Sequence, residues 1–151
     1  MHYVFYDRDC NFCAWALSLL LRWDRAGELV PMPLQSPDAD PWLGRMDDER
    51  RTASWHLGGD DRRARSGGEA LADVLALLPG GRPLSAVARQ TPGLTDHGYR
   101  WVAGHRVGLS RLVPTGAKRA AWELVAEREG QPPPLGGLSA GSCSLASANR
   151  C

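Results

Sequence analysis

Two cysteines separated by two residues, Cys10 and Cys13, are the side chains of this sequence best suited to chemistry. They follow a short apolar segment and precede a run of strong helix formers. A helix N-terminus offers unpaired N–H groups and positive potential, which lower the pKa of a cysteine thiol and favour the reactive thiolate. Because Cys10 stands where the helix begins and Cys13 lies one turn deeper, we expect Cys10 to attack disulfides and Cys13 to resolve the mixed disulfide.

Charged residues precede the first cysteine and act on it in opposite directions. Arg8 favours the thiolate of Cys10, whereas Asp7 and Asp9 disfavour it when they are ionised. Either carboxylate is also a candidate acceptor for the Cys13 proton. The alternative interpretation, which we favour for Asp9, is that these side chains accept hydrogen bonds from backbone N–H groups in the turn. The sequence therefore leaves the redox potential open.

The elements around the cysteines are predicted from their apolar patterns. Residues 2–6 are aromatic and β-branched and are apolar on both faces, which predicts a central strand. A helix is predicted over residues 14–23. Residues 28–34 predict a second strand at a sheet edge, because Pro31 and Pro33 have no N–H for a ladder. Strand, helix and strand in this order predict a βαβ unit with parallel strands.

The remaining elements follow from alternations, turn residues and helical stripes. They are a short helix within 36–46, a half-buried strand over 52–57, a turn at 58–61, a polar hairpin strand over 62–65, and helices over 67–78, 84–90, 96–113 and 117–129. Ser66 and Glu69 have the spacing of a capping box. This order predicts an α/β fold with a thioredoxin-like βαβ-α-ββ-α core, a mixed four-stranded sheet and a C-terminal helical extension from about residue 82.

Length and composition limit the possible classes of protein. The chain has 151 residues, 43% of them hydrophobic and 23% charged, with a formal net charge of +1. This length suits one domain, which we assign to residues 1–130, and the Pro-, Gly- and Ser-rich residues 131–151 predict a flexible tail. The near-neutral charge argues against a nucleic-acid partner. The 17 Arg against one Lys indicate a GC-rich, bacterial genome and carry no functional weight.

Apolar runs in the sequence are short. The longest apolar-rich run covers residues 13–21, and a membrane span needs about 20 residues. Acidic and basic residues at positions 7–9 also interrupt the pattern of a secretory signal. We therefore expect no membrane insertion and a cytoplasmic location, where paired cysteines serve redox or metal chemistry rather than structural disulfides.

Residues 6–13, Tyr-Asp-Arg-Asp-Cys-Asn-Phe-Cys, resemble the signature of the DCC thiol-disulfide oxidoreductase family. The family is named for the Asp-Cys-Cys set, which Asp7, Cys10 and Cys13 supply here. Three further stretches fit the same family, and the resemblance extends over residues 2–113; these stretches are residues 30–36, 67–78 and 99–106. The resemblance implies a thioredoxin-like fold and a dithiol–disulfide activity.

The sequence also departs from these relatives. Family members usually carry Gly at the position of Arg8, and Asn is common at the position of His105. Thioredoxins proper place a cis-proline before the third strand, where it orients a bound peptide, and this chain has no proline just before Thr52. The missing proline argues against efficient exchange with extended protein substrates.

Three residues outside the cysteine loop are further candidates for the site. A third strand antiparallel to the first brings Arg50 or Arg51 near Cys10, where Arg51 is able to stabilise a thiolate or a substrate carboxylate; a solvated Arg pair is the favoured alternative. Tyr99 and Arg106 share a face of the helix over 96–113 with Val102 and Leu109. For this face we favour core contact and an Arg–carboxylate pair, and a surface beside the active site is the alternative.

The sequence thus predicts a thiol–disulfide oxidoreductase acting through Cys10 and Cys13 on a protein or a low-molecular-weight thiol, without a bound cofactor. A redox-silent, thioredoxin-like binding module is the alternative. A zinc-binding domain ranks third, because the remaining cysteines, Cys143 and Cys151, are poorly spaced for a second half-site. These two cysteines are interpreted as bystanders, and the substrate and oligomeric state stay open.

Overall fold

An inner strand of a mixed sheet leads directly into the cysteine loop in the computed structural model, which describes residues 1–129. The strands are His2–Tyr6 (β1), Leu29–Pro33 (β2), His56–Gly58 (β3) and Ala64–Ser66 (β4), in the order β2-β1-β3-β4. β2 is parallel to β1, and β3 is antiparallel to both β1 and β4. The predicted thioredoxin-like sheet, with β1 inside and β2 at an edge, is confirmed.

Helices connect and cover these strands. Over the described residues they are Asn11–Trp23 (α1), Asp40–Leu43 (α2), Asp48–Ala53 (α3), Gly67–Leu77 (α4), Arg82–Gln90 (α5), Pro92–Leu112 (α6) and Thr115–Glu129 (α7), with a short 3₁₀ helix at Pro37–Ala39. The predicted C-terminal helical extension is therefore confirmed as α5, α6 and α7.

The alternation of side chains along β1 creates a core on each face of the sheet. Val4 and Tyr6 belong to the larger cluster, to which α1, α4 and α7 contribute. Phe5 belongs to the smaller cluster, where it packs with Leu34 and Leu43. Because both faces of β1 are buried, the strand that carries the cysteine loop is fixed from two sides.

Helix α7 packs against α1 and is tied to both of its ends. At the start of α1, the Nε1–H of Trp122 donates to Asn11 Oδ1 at 2.9 Å. At the other end, Arg128 forms an ion pair with the buried carboxylate of Asp24 at 3.5 Å. The C-terminal extension therefore supports the helix that begins at the cysteines.

The strand predicted over residues 52–57 is wrong in its first half. Thr52 and Ala53 end α3, which begins after Asp47, whose Oδ1 accepts a hydrogen bond from the N–H of Arg50 at 2.8 Å. This cap and the acidic first turn favour a helix over the apparent alternation. Because β3 begins at His56, the residue directly before the third strand is Trp55.

The capping box predicted at Ser66 does not form. The Ser66 hydroxyl lies 2.7 Å from Nδ1 of the buried His56, whose Nε2–H donates to the carbonyl of Arg51 at 2.9 Å. Since a carbonyl only accepts, Nδ1 is the nitrogen that accepts from Ser66. Helix α4 nevertheless begins after Ser66, at Gly67 with a φ of 60°.

The outer helix α6 differs from its expected role. The sequence favours core contact for the face with Tyr99. In the structure no residue of α6 is fully buried, and this face borders a cavity. Within residues 1–129, no helix combines the length and apolar character required to cross a membrane. The tail predicted over 131–151, with Cys143 and Cys151, lies outside the described residues.

Candidate active site

The cysteine loop places both thiols at the first turn of α1. Cys10 is the N-cap residue, with extended backbone dihedral angles, and its Sγ accepts a hydrogen bond from the N–H of Cys13 at 3.2 Å. Cys13 is buried, with 6% of its surface exposed, whereas Cys10 is partly exposed. The loop therefore presents one thiol to solvent and keeps the other behind it.

The two thiols differ strongly in acidity. The hydrogen bond from the Cys13 thiol, a backbone hydrogen bond and the charge of Arg106 lower the pKa of Cys10 to about 7, against the opposing effects of burial and Asp7. The pKa of Cys13 is raised, first by its hydrogen bond to Cys10, then by burial and the negative charge of Cys10. At neutral pH Cys10 is therefore about half ionised, whereas Cys13 remains a thiol.

The carboxylate of Asp7 is held by the loop itself and by the residue that follows Leu34. Its Oδ1 accepts hydrogen bonds from the N–H of Asp9 at 3.0 Å and from Nε2 of Gln35 at 2.8 Å. Asp7 borders the cavity beside Cys13, whereas Asp9 borders only the groove on the Cys10 side. Of the two carboxylates, Asp7 is the one placed beside both thiols.

Arg8 joins the cysteine loop to the end of α7. Its guanidinium donates to Oε2 of Glu129 at 3.2 Å, and the Glu129 side chain is only 6% exposed. Its backbone N–H donates to Oε1 of Gln35 at 3.3 Å. The neighbouring Tyr6 has a raised pKa, because of burial first and then the Glu129 carboxylate. The charge of Arg8 thus faces a buried carboxylate.

Arg51 binds the chain beyond β2. Its Nε and a terminal nitrogen donate to the carbonyl of Leu34 at 3.0 and 2.6 Å, and it forms an ion pair with Asp40 at 3.0 Å. The cation whose charge acts on both cysteines is Arg106 of α6. Its guanidinium donates to the carbonyl of Thr52 at 3.3 Å.

Tyr99 and Arg106 lie on the face of α6 that is directed at the cysteines. The Tyr99 hydroxyl accepts a hydrogen bond from the N–H of Trp55 at 2.5 Å, and burial raises its pKa to about 12. The two residues stand seven positions apart, so one helical face carries both. This arrangement ties the middle of α6 to the chain that enters β3.

Two cavities meet at Arg106. One, of about 370 Å³, borders Cys13 and lies between α6, the start of α1 and the chain before β3. The other, also of about 370 Å³, borders Cys10 and the C-terminal half of α6. Arg106 and Asp7 border both cavities, so a ligand in either one meets a thiol and the same two charges.

Three residues that shape the site are not among those the sequence singles out. The side chain of Gln35 forms hydrogen bonds with the Asp7 carboxylate and the Arg8 N–H. The Glu129 carboxylate accepts a hydrogen bond from the Arg8 guanidinium, and the N–H of Trp55 donates to the Tyr99 hydroxyl of α6. Gln35 belongs to a stretch that resembles the family, which is the one available signal. The role of Glu129 depends on a contact between residues 121 positions apart, which sequence spacing does not show.

Metal ligands are not gathered at the cysteines in the part of the chain described. Across residues 1–129, no group of three or more His, Cys, Asp and Glu side chains is arranged to hold a metal ion. For the zinc-binding alternative, the described residues therefore supply only the pair Cys10 and Cys13.

A mixed four-stranded sheet with two cysteines at the start of its first helix defines a thioredoxin-like dithiol protein. The family model for DCC1-like thiol-disulfide oxidoreductases matches residues 4–112. The chain belongs to this DCC1-like thiol-disulfide oxidoreductase family. Neither the curated proteins nor the solved structures contain a match to this chain. The matched region ends with α6, so it includes Tyr99 and Arg106, and α7 follows it.

Proposed function

We propose that the protein performs reversible dithiol–disulfide exchange, with Cys10 as the attacking thiol and Cys13 as the resolving thiol. The observation that carries this proposal is the 3.2 Å hydrogen bond from the Cys13 N–H to Cys10 Sγ, at a helix start where one thiol is partly exposed and the other buried. The lowered pKa of Cys10 and the raised pKa of Cys13 support the same division of roles.

In the first step, the Cys10 thiolate attacks one sulfur of a substrate disulfide. The substrate S–S bond breaks, a Cys10–substrate disulfide forms, and the other half of the substrate leaves as a thiolate that takes a proton from water. A thiol with a pKa near the ambient pH is well suited to this step, because it combines a large thiolate fraction with good nucleophilicity.

In the second step, Cys13 attacks Sγ of Cys10 and releases the bound half of the substrate as a thiol. Once Cys10 is in a mixed disulfide, it has no thiolate to accept the hydrogen bond of the Cys13 thiol and carries no negative charge. The first and third causes that raise the pKa of Cys13 are then removed, and burial remains. Asp7, which borders the cavity beside Cys13, accepts the proton and passes it to the departing thiolate. The products are a Cys10–Cys13 disulfide and two substrate thiols, and the reverse sequence oxidises a dithiol.

The partner in this reaction is a protein or a low-molecular-weight thiol or disulfide, and the exchange requires no bound cofactor. The cytoplasm is the location we propose, because glutathione and thioredoxin systems keep a CxxC pair reduced and available there. A redox-silent binding module is the second candidate, supported by the cavity of about 370 Å³ beside Cys13.

Trapping experiments test the proposed roles of the two thiols. Cys13→Ser is expected to accumulate a mixed disulfide with a model disulfide, because the resolving thiol is absent, whereas Cys10→Ser is expected to form none. Mass spectrometry of the intact protein measures both outcomes. Equilibration in glutathione buffers then gives the reduction potential of the pair. Failure of wild-type protein to form a Cys10–Cys13 disulfide in any of these buffers would favour the binding module.

A further inference from the structure

The cavity beside Cys13 has the size and lining of a small-molecule site. Its volume of about 370 Å³ lies within the range of about 300–1,000 Å³ typical of ligand pockets. Apolar side chains from four parts of the chain form most of its wall; among them are Phe12, Ala16, Leu34, Leu71, Val102 and Ala103. A group that fills this space gains contact with hydrocarbon rather than with water.

A positive charge stands beside this apolar space. Arg106 borders both the cavity and the groove at Cys10, is half-buried, and donates one hydrogen bond, at 3.3 Å, to the Thr52 carbonyl. Within residues 1–129 it forms no ion pair with a carboxylate. Asp7, by contrast, already accepts two hydrogen bonds. The Arg106 guanidinium is therefore the group beside the cavity that is able to bind a ligand carboxylate, and guanidinium groups bind carboxylates with well-defined geometry.

The backbone next to the cavity is closed to an extended peptide. The N–H of Trp55 donates a hydrogen bond to the Tyr99 hydroxyl, and the carbonyl of Trp55 accepts one from the N–H of Gly67 at 3.3 Å. An extended polypeptide that adds to a strand needs such main-chain groups to be open. Helix α6 therefore occupies the position at which a peptide would pair with the chain entering β3.

We propose that the substrate is a low-molecular-weight disulfide in which one sulfur carries an apolar aryl or alkyl group bearing a carboxylate. In the mixed disulfide with Cys10, the apolar group lies in the cavity and the carboxylate binds Arg106. Cys13 then attacks Cys10 Sγ, and the bound half leaves as a carboxylated thiol that takes the Cys13 proton. This inference names the substrate class of the proposed exchange and rests on that proposal.

Three model disulfides separate the contributions of shape and charge. The probes are 5,5′-dithiobis(2-nitrobenzoate), which is aromatic and carboxylated, 4,4′-dithiodipyridine, which is aromatic and uncharged, and hydroxyethyl disulfide, which is neither. Stopped-flow rates with the reduced full chain, carrying Cys143→Ser and Cys151→Ser, are divided by the rate of each probe with free glutathione. We expect normalised rates that fall in this order, with about tenfold between the first and the last.

Variants locate the origin of this preference. Ala103→Phe fills the cavity and is expected to reduce the ratio of aromatic to hydroxyethyl rates by about tenfold. Gly104→Phe is the control and is expected to leave the ratio unchanged, because Gly104 does not border the cavity and a Cβ at this position meets no atom within 4 Å. Val102→Phe is the second filling variant if Ala103→Phe does not fold. Arg106→Met is expected to remove the preference for the nitrobenzoate over the dipyridine. The ratio of these two rates does not depend on the ionisation of Cys10, because both probes react with the same thiolate.

The outcomes distinguish this inference from the proposed function. Equal normalised rates for the three probes, an equal effect of Ala103→Phe and Gly104→Phe, or reduction of insulin disulfides as fast as the nitrobenzoate would each overturn the substrate class and leave the exchange reaction standing. Probe reduction that is unchanged in Cys10→Ser would overturn both. The ordered rates, lost in the filling variants, support the inference.

Discussion

At the scale of single residues, the difference between the two thiols results from their order along one helical turn. Cys10, at the N-cap, accepts a hydrogen bond from the N–H of Cys13, while Cys13 is buried. Arg8 contributes less than the sequence suggests, because it is bound to Glu129 and the guanidinium that acts on both thiols comes from α6. The low pKa of Cys10 therefore depends both on hydrogen bonds from Cys13 in the same helical turn and on the charge of Arg106 in α6.

The pH dependence of alkylation tests this assignment. The iodoacetamide rate at Cys10 is expected to rise through a midpoint of about 7 and then level off, because only the thiolate reacts and its pKa is lowered to that value. Cys13 is expected to stay unmodified over the same range. Tandem mass spectrometry of the tryptic peptide over residues 9–22 measures each site. A midpoint near 8.5, the value of a free thiol, would contradict the lowered pKa.

The charge of Arg106 has a separate test. Arg106→Met is expected to raise the pKa of Cys10 by roughly half to one unit, because a cation that favours the thiolate is removed. Arg111→Met is the matched control, since Arg111 borders the same groove and is not among the main causes of the lowered pKa of Cys10. Thiolate absorbance at 240 nm against pH gives both values. Equal shifts in the two variants would show that Arg106 has no specific role.

At the scale of elements, α1 is the part on which the site depends most. Its inner face packs in the larger core, and Leu17 in that face is completely buried. Its N-terminus is bound by Trp122 and its C-terminal end by Arg128, both from α7. Any loosening of α1 therefore changes the position of both cysteines at once.

Substitution of two leucines of α1, one buried and one exposed, distinguishes the contribution of core packing to stability from that of helix propensity. Leu17→Ala is expected to reduce the free energy of unfolding by about 3 kcal/mol, because it leaves a cavity in the core. Leu19→Ala changes the same residue type at a position that is 47% exposed, and is expected to cost no more than about 0.5 kcal/mol. Urea unfolding followed by tryptophan fluorescence measures both. Similar losses in the two variants would contradict the packing described for α1.

The elements also differ in how well the sequence predicts them. Residues 2–6 are predictable as a central strand, because a short segment that is apolar on both faces needs neighbours on both sides. Residues 52–57 are predicted incorrectly in their first half. Their apolar and polar side chains alternate as in a strand, while the cap at Asp47 favours a helix that includes Thr52 and Ala53. The partners of Arg51 and Arg106 are not predictable, since a long side chain selects its partner from groups that only the folded chain brings near.

At the scale of the whole molecule, the CxxC pair and its surroundings are formed within residues 1–129. The loop is fixed on one side by the chain beyond β2, through Gln35, and on the other by the end of α7, through Glu129. The family match stops at the end of α6, so the helix that supports α1 from the other side, α7, lies outside the matched region.

The two cysteines beyond the described residues have a simple test. A Cys143→Ser, Cys151→Ser variant of the 151-residue chain is expected to keep its rate of disulfide exchange within about twofold, because the thiols proposed to attack and to resolve are both at the first turn of α1. The measurement is turnover of a model disulfide with glutathione as reductant, and Cys10→Ser is the inactive control. A loss that approaches the Cys10→Ser level would show that the tail cysteines take part.

The prolines of β2 determine how the outer side of the sheet meets other molecules. Glu28 O accepts from β1 and Leu34 N–H donates to it, so the even-numbered residues of β2 face β1. Pro31 and Pro33 consequently stand where N–H groups would point outward, and the edge offers no donors there. An unfolded neighbouring chain therefore finds no continuous row of N–H donors along this edge, which hinders the edge-to-edge pairing that leads to aggregation.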